Sequence, residues 1–326
     1  MRWLHNILLR FKFYQWLMER AKRNSFPGFG GVSIYTVATF FLHSIEDEDI
    51  NLRASSLAFN FFLALFPAVI FFFTLVAYVP IQNMHSQILE ALSTIMPAEA
   101  FESVKSTLED ILKNQRGGLL SVGFVAAIYF SSNGYRSMIR SFNKTNRTKA
   151  TRSFWVSQLI PIGLTLWVSF LLILSVALLI GGQLFLDYLF AQGILNDLFL
   201  RYLVVGFEWI IIIGLFFTSI SSLYYFGPIK KNRKKWRFVS TGSSLATFLS
   251  IASTVAFSAY INNFNSYNKL YGSIGTLIVL MMIIYFNSII ILIGFEMNSS
   301  IDKALKQRVK PEELTPEQLE DNNKKK

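Results

Sequence analysis

The sequence contains no cysteine. That absence excludes a disulfide framework, a thiolate nucleophile and any cysteine-ligated metal, and it leaves the redox compartment undefined. Histidine is almost as scarce. His5, His43 and His85 are scattered and fall in no metal-ligand spacing. Also missing are a Ser-centred nucleophile elbow, a phosphate-binding loop and a dinucleotide fingerprint. No catalytic residue, metal or cofactor is therefore expected, and an enzyme is disfavoured. Acidic residues are few as well: 20 Asp and Glu stand against 31 Lys and Arg, a formal net charge of +11. In a soluble chain such an excess would point to nucleic acid, but in an apolar chain Lys and Arg gather in short cytoplasmic loops facing anionic headgroups. No nucleic-acid partner is expected.

What is abundant is apolar sequence. Hydrophobic residues make up 52% and aromatic residues 16% of the 326 residues, with mean hydropathy +0.41, more than a soluble surface tolerates. Six stretches are long enough to cross ~30 Å of hydrocarbon: 54–79, 119–139, 156–181, 202–226, 238–261 and 274–297. Each is expected to be a helix, because isolated strands leave their backbone groups unsatisfied in lipid. The fold class is thus all-α, a polytopic membrane protein of about six spans. Basic residues orient it. Seven lie up to Arg53, six from Arg136 to Arg152, six from Lys230 to Arg237 and seven after Ser300, so 26 of 31 fall on one side. Only Lys105, Lys113, Arg116, Arg201 and Lys269 fall on the other. An even number of spans with both termini cytoplasmic reproduces that alternation.

Three regions follow. Residues 1–53 form a cytoplasmic or interfacial segment: 1–23 read as a basic amphipathic helix on the membrane surface, and 32–45 as an interfacial or re-entrant piece too short to span. Arg10 and Lys12 interrupt its first apolar stretch, so no cleavable leader is expected. Residues 54–301 form the membrane domain, with a non-cytoplasmic helical loop at 80–118. Residues 302–326 read as a polar, disordered cytoplasmic tail. No internal repeat is visible.

Polar groups inside hydrocarbon are costly and so are candidates for function. Glu296 near the end of the sixth span is either a boundary carboxylate paired with Arg136 or Arg140, or a substrate or proton site. Glu208 is interfacial or lines a cavity. Ser131, Ser132, Asn133 and Gly134 form either an interhelical hydrogen-bond cluster or part of a polar pathway. The fifth span carries a hydroxyl stripe of Ser240, Ser243, Thr247, Ser250, Thr254 and Ser258, suited to close helix packing or to a groove for a polar or amphipathic cargo. Pro67 is expected to kink or break the first span.

The run from Ser55 to Asn60, continuing to Pro67, resembles the first-span signature of the YihY/virulence factor BrkB family, once labelled ribonuclease BN. Tyr271, Gly272, Ser273, Ile274 and Gly275 opening the sixth span, and Gly294, Phe295, Glu296, Met297 and Asn298 closing it, are similar to that family's most specific motif. Departures are Phe295, where Ala is common, and Ile283 or Ile284, where Trp is usual. The resemblance implies a six-helix protein of the bacterial inner membrane, and the ribonuclease label finds no acid–base pair or ligand set here. Two functions remain open. One is translocation of a small or amphipathic solute, lipid included, through a cavity lined by Asn60, Asn133, Asn287, Ser250, Thr254, Glu296 and Asn298. The other is a scaffold that anchors an envelope protein partner. Membrane lipids are expected partners in both, and the oligomeric state is undetermined.

Overall fold

The structure, a computed structural model, describes residues 12–47, 49–78, 98–145, 152–191, 198–229, 238–263 and 265–312, with isolated positions between 86 and 93. Among them are nine helices: α1 (Lys12–Arg23), α2 (Ile34–Asp47), α3 (Ile50–Val76), α4 (Ala98–Lys113), α5 (Gly117–Thr145), α6 (Phe154–Ala191), α7 (Leu198–Phe226), α8 (Thr241–Asn263) and α9 (Asn265–Glu312). The protein is all-helical across the described residues, as the hydropathy pattern predicts.

Five helices are both long and apolar enough to cross a bilayer, α3, α6, α7, α8 and α9. The second expected span, α5, falls short in apolarity because Asn133, Arg136, Arg140 and Lys144 occupy its second half. Packing nonetheless makes α5 a crossing. Its first residue Gly117 faces the Tyr78 hydroxyl just beyond the C-terminal end of α3, and its last residue Thr145 bonds to Arg53 in the first turn of α3. The two helices are antiparallel partners over their whole length, and α5 covers the same thickness. Close approach is built in: an added Cβ at Gly134 would stand 2.8 Å from the Phe61 ring, and one at Gly123 would stand 3.3 Å from the Phe71 backbone. Small residues at these crossings let α5 lie backbone-close to α3.

The spans form a ring in chain order, α3 beside α5, then α6, α7, α8 and α9, with α9 returning against α3. One core joins all six: Ile50, Ala54 and Leu57 from α3, Met138, Ile139 and Phe142 from α5, Leu164 from α6, Ile220, Leu223 and Tyr224 from α7, Ala246 from α8, Leu292 and Phe295 from α9. Every one of these lies within about ten residues, roughly 15 Å, of the same end of the bundle. Toward the other end no residue of α6 beyond Leu171, of α7 before Ile220 or of α8 beyond Ser250 is buried, among those described.

Three expectations take a more definite form in the structure. Of the two outcomes expected at Pro67, a kink or a break, the break does not occur: α3 runs unbroken from Ile50 to Val76, since one missing N–H costs a single bond while unwinding in lipid would expose several. The segment at 32–45 is, from Ile34 on, one continuous helix packed on protein. It forms α2, and Val32 and Val37 pack with Phe29, Ile301 and Ala304 against the extension of α9. The chain reverses between α1 and α2 through Gly28, Gly30 and Gly31, all at positive φ, and a Cβ on Gly30 would lie 2.9 Å from Leu305. Finally, the expected tail does not begin as disordered chain, because α9 continues helically to Glu312, with Ala304 buried and Lys303 donating to Ser44 Oγ at 2.9 Å.

Of the outer loop, α4 is described. Its apolar face turns inward, with Phe101 and Leu112 buried, and Gln115 beyond it donates to the Ala77 carbonyl at 3.3 Å. Residues 1–11, the basic loop at 230–237 and residues 313–326 lie outside the described set.

Candidate functional site

At the closed end three helices meet in a buried polar cluster. Arg53, 7% exposed, and Glu296, fully buried, form an ion pair with Nη1 to Oε1 at 3.3 Å. Arg53 Nη2 donates to Thr145 Oγ1 at 2.8 Å and to the Ser141 carbonyl at 2.6 Å, while the Thr145 hydroxyl donates to Glu296 Oε1. The guanidinium thus sits at the C-terminal, negative end of α5 as well as beside a carboxylate. Arg53 is the residue that sequence reasoning missed, and Glu296 pairs with it instead of with Arg136 or Arg140. Arg136 points to α6, donating to Gln158 and, at 3.0 Å, to Asn133 Oδ1.

The pentapeptide closing the sixth span distributes its residues among different neighbours. At Gly294 a Cβ would fall 2.6 Å from the Tyr224 hydroxyl and 2.7 Å from Ala246, so α8 crosses α9 at backbone contact. Phe295 stacks on Phe142 with centroids 4.0 Å apart, and Tyr224 meets both rings edge-on. Glu296 reaches Arg53 on α3. Asn298 turns back to α8: its Oδ1 accepts from Gly242 N at 2.8 Å and its Nδ2 donates to Ser240 Oγ at 2.9 Å. Ser240 is itself the N-cap of α8, its Oγ accepting from Ser243 N at 3.2 Å. Asn298 therefore satisfies a first-turn N–H that helix geometry leaves unpaired.

Three other candidates are engaged within their own helices. Asn60 donates to the Ser56 carbonyl at 2.7 Å and Asn287 to the Ile283 carbonyl at 3.0 Å, each in its own helix, while Asn133 serves Arg136. On α8, Ser243, Thr247 and Ser250 are buried, whereas Thr254 is exposed and bonds back to the Ser250 carbonyl. Gly275 is buried; the surroundings of Gly272 and of the Tyr271 and Glu208 side chains fall outside what is described.

Between α3 and α9 lies an open groove of about 420 Å³ lined by Ser55, Ala58, Phe62, Leu277, Met281 and Tyr285, among others. Its walls are almost wholly apolar, and Ser55 directs its hydroxyl to the Asn51 carbonyl of its own helix. Such a volume matches that of small-ligand sites. Among the described residues no group of three His, Cys, Asp or Glu could hold a metal ion.

Comparison with known proteins agrees with this architecture. The chain is 34% identical over 258 residues, 78% of its length and 90% of the relative's, to a ribonuclease-like protein, YfkH, of Bacillus subtilis. It is 21% identical over 274 residues, 83% of this chain and 97% of the relative, to a UPF0761 membrane protein of Haemophilus influenzae. A UPF0761 membrane protein of Psychromonas ingrahamii is 24% identical over 287 residues, 84% of this chain and 90% of that one. No solved structure matches. With relatives named as membrane proteins and five helices apolar enough to cross, the chain is a multi-pass inner-membrane protein. The profile of the virulence factor BrkB family covers residues 41–318, which span the six-helix ring and its closing motif, and the chain belongs to that family.

Proposed function

We propose that the protein moves an amphipathic solute, a lipid being the class that best fits, along the face between α3 and α9, with both termini cytoplasmic. The observation that carries this reading is the groove itself: about 420 Å³, apolar-walled, and cut between two membrane-spanning helices. A headgroup-only or ionic cargo would need polar lining there, and the asparagines that would supply it are engaged within their helices. Among the described residues, the burial of α6, α7 and α8 is confined to one end, which suits helices that part at the other. The charge distribution supplies the orientation.

A hydrolytic role is disfavoured. Glu296 is bound by Arg53 and Thr145 and is turned away from solvent, which leaves it no access to an RNA strand or to a water nucleophile. The ribonuclease-like description belongs to the Bacillus relative. A scaffold role through α4 has little apolar surface to use, since Phe101 and Leu112 already face the protein.

The test is translocation of labelled phospholipid in liposomes by the purified protein, comparing wild type with Leu277→Trp and Met282→Trp. Both residues are exposed at the groove, so the bulky rings fill it without disturbing the core. Movement in wild type that falls about tenfold in the filled variants is expected. Absence of movement by well-folded wild type would overturn the proposal.

A further inference from the structure

Beside the cluster at Arg53 stands a second intramembrane arginine with no counter-charge among the described residues. On α5, Arg136, Arg140 and Lys144 recur at four-residue spacing and so share one face. Arg136 is half-buried. Its two hydrogen-bond acceptors, Asn133 Oδ1 and Gln158 Oε1, are neutral amides, and its Nε is buried with no acceptor among the described residues. No carboxylate pairs with it among those residues, Glu296 being taken by Arg53. Arg140 and Lys144 are exposed.

A cation in this position is costly unless an anion completes it. Gln158 lies only four residues, roughly 6 Å, into α6, so its bond draws the guanidinium of Arg136 from a deeper backbone position toward the interface. Trp155, 72% exposed, stands one turn before Gln158 on the same helix face, and Phe154 beside it is 68% exposed. Exposed aromatic rings at the start of a span mark headgroup depth. At that depth, the anion at hand is a lipid phosphate, whose oxygens suit the planar fork of arginine.

We propose that Arg136 and Arg140 bind the phosphate of an anionic membrane lipid at the seam of α5 and α6, with Trp155 beside the upper part of its chains. Asn133 and Gln158 are positioning residues: their amide oxygens hold two of the guanidinium nitrogens and aim the remaining edge outward. This site is separate from the groove between α3 and α9 and does not depend on transport. A protein that holds the phosphate yet moves no lipid would leave this site standing and end only the translocation reading.

The experiment uses the full chain in phosphatidylcholine nanodiscs containing a minor fraction of brominated lipid, with Trp155→Phe identifying the emission of Trp155. Brominated phosphatidylglycerol is expected to quench that emission several-fold more than brominated phosphatidylcholine at equal content, and Arg136→Gln combined with Arg140→Gln is expected to remove the preference. Arg136→Lys, which keeps the charge and loses the fork, should retain part of it. Should the double variant fail to fold, Arg140→Gln alone, at an exposed position, is expected to weaken the preference. Equal quenching by the two lipids in wild type, or a preference that survives in the folded double variant, would overturn the proposal. So would a Trp155 response to inorganic phosphate in detergent with no lipid preference in nanodiscs, which would assign the site to free phosphate.

Discussion

Arg53 and Glu296 are separated by 243 residues in the chain and by 3.3 Å in space. Their pairing binds the first span to the last and, through Thr145, to the second. A buried pair is poor ground for claiming net stability, but removing one partner strands a charge in a dry site. Glu296→Leu or Arg53→Met is therefore expected to cost about 3–5 kcal/mol, and the combined Arg53→Met, Glu296→Leu variant much less than the sum. Unfolding of the four proteins in mixed detergent completes the cycle; additive losses would show that the two side chains are not coupled.

The crossing of α8 and α9 admits no side chain. A Cβ on Gly242 would lie 2.0 Å from the Gly294 carbonyl oxygen, a contact between two backbones that cannot yield. Gly242→Ala should prevent normal folding, seen as aggregation on size-exclusion chromatography. Gly163→Ala on α6, where nothing lies within 4 Å, is the control and should match wild type or gain up to about 1 kcal/mol.

Asn298 serves as a cap supplied from another helix. Its replacement by Ala removes the acceptor for Gly242 N and is expected to cost about 0.5–2 kcal/mol. The loss should be local, with faster amide hydrogen exchange at Gly242 while the interior of α6 keeps its protection. Uniform acceleration through the bundle would mean that Asn298 matters for more than the start of α8.

Pro67 separates stability from motion. Because α3 is continuous through it, Pro67→Ala restores a backbone bond and should leave the unfolding midpoint equal or higher. If α3 bends during transport, lipid movement should nevertheless fall in that variant. Lower stability would show that the surrounding packing depends on the proline ring.

Much of the architecture could be read from the residues because lipid restricts the choices. Apolar length marks the spans, and the even count follows from the basic loops. The structure places α2 beside the extension of α9 at the Arg53 end of the bundle, with six helices between, which that parity requires. The site was less legible. Spacing shows which face of its own helix Glu296 occupies, but not which helix stands opposite. Arg136 and Arg140 stand at the end of a span on the same side, yet the return of α9 to α3 brings Arg53 closer. Asn60 and Asn287 illustrate the same limit in reverse, since a polar side chain in a helix can bond to the carbonyl one turn back and needs no common cavity. Phe295 reads as an intrusion beside Glu296, but successive residues of a helix point about 100° apart, so its ring joins Phe142 while the carboxylate faces elsewhere.

The return of the last helix to the first also sets an order for biogenesis. Arg53 enters the membrane with α3, while Glu296 is not yet translated. At bacterial-type elongation of about 5–20 residues per second, 243 residues correspond to roughly 12–50 s. During that interval the ion pair with Glu296 does not exist, and the first span is not yet tied to the last. A chain that stops short of α9 never makes this tie, so the link between the two ends of the ring is a property of the finished copy alone.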